Sequence, residues 1–268
     1  MLELLLPIFG FLIGTIAAMT GIGGGAFIVS LFVLAYAFAP ANAVGTSLTA
    51  IIFTAVAATL SYSRQKRIYY RTGLVLAITT VPGASLGAYL TTILPQKWLG
   101  IILGLMLMPI ALHMIINSRS GRKKSPNAQE KASQPKAKSD SELIRSQNTI
   151  LIGAALCFSG GLGSGLLGIG GGVLIVPIMT FAMGMPIHFA TATSMFTMIF
   201  TSISGVTQHY LADHISFEYA LLLALGTVVG AQVGVYASKR VSSKNLRRVF
   251  GAVLIVVSVQ IVLKYIQG

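Results

Sequence analysis

Long apolar runs recur along almost the whole sequence, and they restrict its fold more than any other feature. Each is about 17 to 25 residues long, the length that a helix needs to cross a hydrocarbon core of ~30 Å. Of the 268 residues, 54% are hydrophobic and 9% are charged, against roughly 45–50% and about 25% in soluble domains. So few charges cannot cover a water-soluble surface. The sequence therefore predicts an all-α polytopic membrane protein.

The chain repeats itself at an offset of 147 residues. The cluster Gly21-Ile22-Gly23-Gly24-Gly25 recurs as Gly168-Ile169-Gly170-Gly171-Gly172, and Gly83-Ala84 recurs as Gly230-Ala231. A match this long without a gap indicates duplication. We expect a first membrane repeat at 1–116 and a second at 147–268.

Each repeat contains about five apolar segments, which gives roughly 8–10 membrane segments in all. The first two segments of each repeat are short and meet at the glycine cluster, so they are either two thin spans or the arms of a re-entrant hairpin. The predicted segments are 2–19, 23–39, 43–62, 72–93 and 97–116 in the first repeat, and 148–166, 170–185, 190–210, 217–237 and 245–266 in the second.

The stretch 117–146 between the repeats is polar and basic. It has eight of the 19 Lys and Arg residues of the chain, two prolines and no aromatic residue. Such a composition cannot bury enough apolar surface to offset the entropy of ordering. We interpret it as a flexible cytoplasmic linker.

Basic residues occupy opposite loops in the two repeats. The connection between segments three and four has four Lys or Arg residues around 64–71, whereas its counterpart around 209–218 has none. The next connection has only Lys97 in the first repeat but five basic residues within 239–248 in the second. Because basic loops stay on the cytoplasmic side, the two repeats are predicted to be inverted relative to each other.

The glycine clusters are the first candidate site. Inverted repeats are typical of secondary transporters, whose substrate site lies near the bilayer midplane at glycine-interrupted helices. Glycines allow a sharp break there and can direct backbone N–H groups and helix dipoles at one anion. The alternative is that glycines only bring helices close together, which we expect of Gly83, Gly87, Gly230, Gly234, Gly100 and Gly104. The predicted substrate-binding glycines are Gly23, Gly24, Gly25, Gly170, Gly171 and Gly172.

Polar side chains extend this candidate site. Hydroxyls at the start of the third segments, Thr46, Ser47, Thr193 and Ser194, could donate hydrogen bonds to an anion, although such hydroxyls often bond their own helix. Gln208 and His209 are the candidates for a polar or proton relay, with a merely interfacial histidine as the alternative.

These residues resemble the sulfite exporter TauE/SafE family of membrane permeases. The resemblance rests on the two GIGGG clusters, each followed by a proline and a Thr-Ser signature, Ala43-Val44-Gly45-Thr46-Ser47 and Ala190-Thr191-Ala192-Thr193-Ser194. The first repeat departs from the pattern because Gly45 replaces alanine and its proline is one residue nearer. The resemblance implies transport of sulfite, an organosulfonate or a related sulfur compound.

The sequence therefore predicts a permease in a bacterial or archaeal cytoplasmic membrane. We expect a small anion and membrane lipid as partners, with room for a homo-oligomer, and no nucleic acid, cofactor, metal site or catalytic group. The alternative is a non-transporting scaffold that anchors a partner through the basic linker. An intramembrane enzyme would need a nucleophile with its base or an acidic pair, which the predicted spans do not offer.

Overall fold

A computed structural model describes residues 5–93 and 147–238, together with the single positions 112, 240, 245, 248, 252, 255, 256, 259 and 263. The predicted linker 117–146 lies outside the described residues, and so do Gly100, Gly104 and most of the predicted fifth segments. The described helices are α1 Leu6–Thr20, α2 Gly25–Ala35, α3 Pro40–Arg64, α4 Tyr70–Ile93, α5 Gln147–Leu167, α6 Gly172–Pro177, α7 Ile187–Leu211 and α8 Phe217–Ser238.

Four of the described helices, α3, α4, α7 and α8, are long and apolar enough to span a membrane. α1 has 15 residues and α2 has 11, so they extend only about 22 Å and 16 Å. Neither covers a hydrocarbon core of ~30 Å. The predicted all-helical membrane class is confirmed, and α2 is a half-span.

Helix bounds repeat at the sequence offset. α3 and α7 begin and end 147 residues apart, and so do the starts of α4 and α8. The match to α2 consists of α6 and the π-helical turn Ile178–Ala182 that continues it. Pro177 precedes this turn in place of Ser30, and since proline has no N–H to donate, the helix widens there.

Two close helix pairs join the halves, α1 with α8 and α4 with α5. A Cβ placed on Gly83 or Gly87 would overlap a backbone carbonyl of α5, and one on Gly230 or Gly234 would overlap a carbonyl of α1. The prediction that these four glycines bring helices together is therefore confirmed.

Helices related by the offset run in opposite directions. α7 runs parallel to α4, the helix that follows α3 in the first half, since Thr197 contacts Gly73 and Gln208 contacts Ser85. α3 and α7 are antiparallel, because Gly45 lies against His209 and Gly205 lies against Leu48. An inverted repeat requires this reversal. Which end of the molecule faces the cytoplasm stays a prediction.

Candidate functional site

The two glycine clusters meet at the middle of the spanning helices. α2 begins beside Ile51 and the Gly170 break lies beside Met198, and each of these residues is one position before the centre of its 25-residue helix. The breaks are left-handed turns, which L side chains rarely adopt. The values of φ are 80°, 89° and 78° at Gly21, Gly23 and Gly24, and 67°, 80° and 83° at Gly168, Gly170 and Gly171.

Gly25 and Gly172 lie where the backbones of the two halves touch. A Cβ on Gly25 would overlap the carbonyl oxygen of Gly168, and a Cβ on Gly172 would overlap that of Gly21. The contact is reciprocal, as a pseudo-two-fold axis requires. These two predicted site glycines therefore have a packing requirement of their own.

The four predicted hydroxyls hold the halves together at the same level. Ser47 Oγ donates to Gly168 O at 2.6 Å, and Ser194 Oγ donates to Gly21 O at 2.9 Å. The threonines accept from the opposite half, with Ser216 N 3.1 Å from Thr46 Oγ1 and Tyr69 N 3.0 Å from Thr193 Oγ1. In this conformation the hydroxyls connect the halves.

Unpaired backbone donors flank the breaks. In the described stretch from Gly21 to Ile28, the non-helical backbone hydrogen bonds are Gly21 N to Ala17 O and Ile28 N to Gly24 O. The N–H groups between them belong to the break and to the first turn of α2, and the first N–H groups of a helix have no acceptor within it. These donors can receive an anion.

Two side chains fill the space between the clusters. The end of the Met198 side chain lies against Gly23, Gly170 and Gly172, and Ile51, its counterpart at the offset of 147, lies against Gly25 and Gly170. Met198 and Ile51 are both fully buried. The predicted glycine site is therefore closed by apolar side chains in this conformation.

The predicted relay pair is separated. The His209 side chain is 1% exposed and its ring lies close to the backbone of Gly165. Gln208 instead donates to Ser85 Oγ at 3.2 Å, in a groove of about 360 Å³ between α4 and α7 on the outside of the bundle. Only His209 points into the interior.

Tyr62 is a buried polar residue that the sequence reasoning missed. Its hydroxyl donates to Ala18 O at 2.7 Å and lies 3.4 Å from Ser238 Oγ. The offset of 147 relates Tyr62 to His209 and Ala18 to Gly165. Applying the repeat to polar positions that differ between the halves would have revealed it.

A small cavity lies behind the second break. It measures about 10 Å³, room for about one water, and is lined by Gly160, Ser164 and Gly171 among others. Ser164 Oγ is buried without a hydrogen-bond partner. The first half has Ile13 in place of Gly160, and Ile13 packs against Gly24 there. Among the described residues, no group of three or more His, Cys, Asp or Glu side chains could hold a metal ion.

Together, the spanning helices and the paired helix breaks at mid-membrane level define a multi-pass membrane protein with an architecture that transporters use. The family profile described as "Sulfite exporter TauE/SafE" matches residues 6–261. The chain belongs to this family of membrane transporters.

Related sequences agree with this assignment. The chain is 30% identical to the "Probable membrane transporter protein YunE" of Bacillus subtilis (strain 168), over 96% of each chain. It is 26% identical to "Probable membrane transporter protein MJ0441" of Methanocaldococcus jannaschii, over 93% of this chain and 91% of that one. It is 35% identical to "Sulfite exporter TauE/SafE family protein 3" of Arabidopsis thaliana over 30% of this chain and 17% of that protein. No solved structure matches significantly.

Proposed function

We propose that the protein is a secondary transporter of a small sulfur oxyanion, such as sulfite or an organosulfonate, with its site at the interface of the two glycine-broken helix pairs. The observation that carries the proposal is the meeting of two left-handed glycine breaks at the middle of the spanning helices. The family description and the name of the plant relative support sulfite as a substrate.

Backbone donors supply the anion chemistry. In the described spans, Lys and Arg occur only near helix ends, at Arg64 and Arg71. Neutralisation at the centre must then come from backbone N–H groups and the positive ends of helix dipoles. Such a site favours a small acceptor-rich anion over a cation.

Movement between two states follows from the closed centre. Since Met198 and Ile51 occupy the space between the breaks, substrate can reach the donors only when the two halves shift relative to each other. The hydroxyl contacts of Ser47 and Ser194 join the halves at this level, so they must rearrange in the same step. Alternating access by rocking of one repeat against the other has these requirements.

The energy source is an ion gradient. The sequence has no nucleotide-binding motif. His209 is the candidate proton carrier, because it is buried and its Nε2 has no hydrogen-bond partner among the described residues. Transport that required ATP with all ion gradients collapsed would contradict secondary transport.

Reconstitution tests the proposal. Purified protein in proteoliposomes should accumulate radiolabelled sulfite or a radiolabelled sulfonate under an imposed proton or sodium gradient, and protein-free liposomes should not.

Met198→Ala should raise the flux per folded protein, because it removes the side chain that fills the centre. Met195→Ala is the matched control, since Met195 is equally buried on the same helix and in the same apolar core but is not among the nearest neighbours of the cluster glycines. Equal flux changes in the two variants would remove the barrier role of Met198, and no flux of any sulfur oxyanion would refute the function.

A further inference from the structure

Arg67 carries a buried donor that nothing accepts. It lies in the connection between α3 and α4, and its side chain is partly buried. Its Nη1 atom is buried and has no hydrogen-bond partner in the described part of the chain. A buried guanidinium donor without an acceptor lowers the stability of the fold, and planar oxyanion groups are its preferred partners.

A second unpaired nitrogen lies beside it. His188 is at the second position of α7, and its Nδ1 is also buried without a partner. The Arg67 guanidinium is close enough to His188 to interact with it electrostatically. His188 lies in the first turn of a 25-residue helix that has no side-chain cap, where the helix dipole favours negative charge. A cation, an imidazole and a helix start come together here without an acceptor.

Neighbours of this group contact the first glycine break. Tyr62 lies within electrostatic range of Arg67, and its hydroxyl interacts with the side chain of Thr191. Thr191 and Ser194 lie directly against Gly21. We call Tyr62, Arg67, His188 and Thr191 the Arg67 mouth.

The opposite end of the molecule lacks this chemistry. The offset of 147 replaces Arg67 by His214, His188 by Ala41 and Thr191 by Val44. His214 lies beside His209, with ring centroids 6.0 Å apart. Arg67 therefore places a permanent positive charge close to His188 in the first turn of α7, whereas the matching positions at the other end are a histidine, an alanine and a valine, and Asp213 and Glu218 stand there in place of Lys66 and Arg71.

We propose that the Arg67 mouth binds the transported oxyanion before it reaches the glycine breaks, and so makes the two directions of transport unequal. This inference rests on the proposed function. The guanidinium and the imidazole bind a small anion of the sulfite, sulfonate or thiosulfate type, and Thr191 and Ser194 lie along its path inward. The basic loops predict that this mouth faces the cytoplasm, which makes it a capture site for export.

Ligand-induced stabilisation tests the binding step. The melting temperature of the detergent-solubilised protein is measured with increasing sodium sulfite, and separately with sodium thiosulfate, using sodium chloride at equal ionic strength as the reference. Wild type should be stabilised by the oxyanions. Arg67→Gln should weaken the apparent affinity by roughly tenfold to a hundredfold, the range for loss of a charge-assisted hydrogen bond.

Arg64→Gln is the matched control, because it removes the same charge from an exposed position three residues away. It should bind as wild type does. His188→Ala, which copies the residue at the opposite end, should weaken binding without changing the charge at a pH above the histidine range. Equal oxyanion affinity in Arg67→Gln and Arg64→Gln, or no stabilisation of the wild type by either oxyanion, would overturn the inference.

Sidedness separates this inference from the proposed function. Half-saturation by sulfite is measured in everted and in right-side-out membrane vesicles. Arg67→Gln should raise the half-saturation concentration roughly tenfold or more on the side of the Arg67 mouth, with a smaller change on the other side. If the wild type transports normally and Arg67→Gln raises the half-saturation concentration equally on both sides, the inference is overturned and the proposed function stands. If the wild type does not transport, the proposed function is overturned. The binding experiment then tests the Arg67 mouth independently of transport.

Discussion

Two adjacent glycines of α5, Gly160 and Gly161, should respond in opposite ways to the same substitution. A Cβ on Gly161 would overlap the carbonyl oxygen of Thr80 and lie 2.9 Å from its carbonyl carbon. These are backbone atoms of the parallel helix α4, so the two helices must separate. A Cβ on Gly160 meets Leu174 Cβ at 3.3 Å and Ile175 Cγ1 at 3.7 Å, next to the small cavity.

The magnitudes follow from these contacts. Alanine gains up to about 1 kcal/mol of helix propensity over glycine at either position. At Gly161 this is outweighed by overpacking, which typically costs about 1–3 kcal/mol. Since about 1 kcal/mol corresponds to about 2–4 °C in a domain of this size, Gly161→Ala should melt roughly 2–12 °C below Gly160→Ala.

The assay is thermal unfolding of both variants in the same detergent, followed by size-exclusion chromatography of the heated samples. Gly160→Ala should match or slightly exceed the wild-type melting temperature. Gly165→Ala should behave as Gly161→Ala does, because a Cβ on Gly165 would overlap the carbonyl oxygen of Ala84 in α4. If Gly161→Ala were as stable as Gly160→Ala, the close backbone contact between α4 and α5 would be wrong.

Other predictions address the breaks, the hydroxyls and the topology. Gly25→Leu and Gly172→Leu should each abolish transport in proteoliposomes while the protein still inserts. A side chain at either position would overlap the carbonyl of the opposite half and fill the space next to the unpaired backbone N–H groups. Normal transport by either variant would contradict this. Ser47→Ala and Ser194→Ala should each destabilise by roughly 0.5–1.5 kcal/mol, the value of one net hydrogen bond, measured as a lower melting temperature against Ser63→Ala, whose exposed hydroxyl bonds only its own helix. Cysteines introduced into the linker 117–146, with Cys157 replaced, should be labelled by membrane-impermeant maleimide only in everted vesicles; labelling in intact cells would place the linker outside.

The lengths of the apolar runs predicted the spans because a membrane-crossing segment must satisfy its own backbone hydrogen bonds. The helices that span the membrane by length, for example α3 at Pro40–Arg64 against a predicted 43–62, depart from the predicted segments by a few residues only. Backbone N–H and C=O groups in hydrocarbon must form their hydrogen bonds within the same segment, and a long apolar run therefore crosses the membrane as a helix. The repeat offset then located the breaks in both halves.

The local roles at the breaks could not be predicted from residue type. Gly25 and Gly24 are adjacent in one cluster, yet Gly24 has a positive φ and Gly25 lies against a carbonyl of the other half. Ser47 was expected to face an anion, but its hydroxyl is bonded across the interface to Gly168 O. These roles depend on contacts between residues more than a hundred positions apart, and a pattern within one segment does not encode them.

The differences between the two halves carry information that their similarities do not. Strict two-fold symmetry would make both mouths equivalent, so any preference for one direction must come from positions where the repeat is broken. Three such polar positions, Arg67 against His214, Tyr62 against His209 and Thr191 against Val44, fall near the ends of α3 and α7 or in the loop that follows α3. Others lie nearer the centre, where the buried Thr197 and Ser164 stand against Ala50 and Ala17. At the centre the exchange of Ile51 for Met198 is apolar and alters only shape. In the proposed function the duplicated breaks supply a common site for both directions, and the Arg67 mouth is one place where one direction can be favoured over the other.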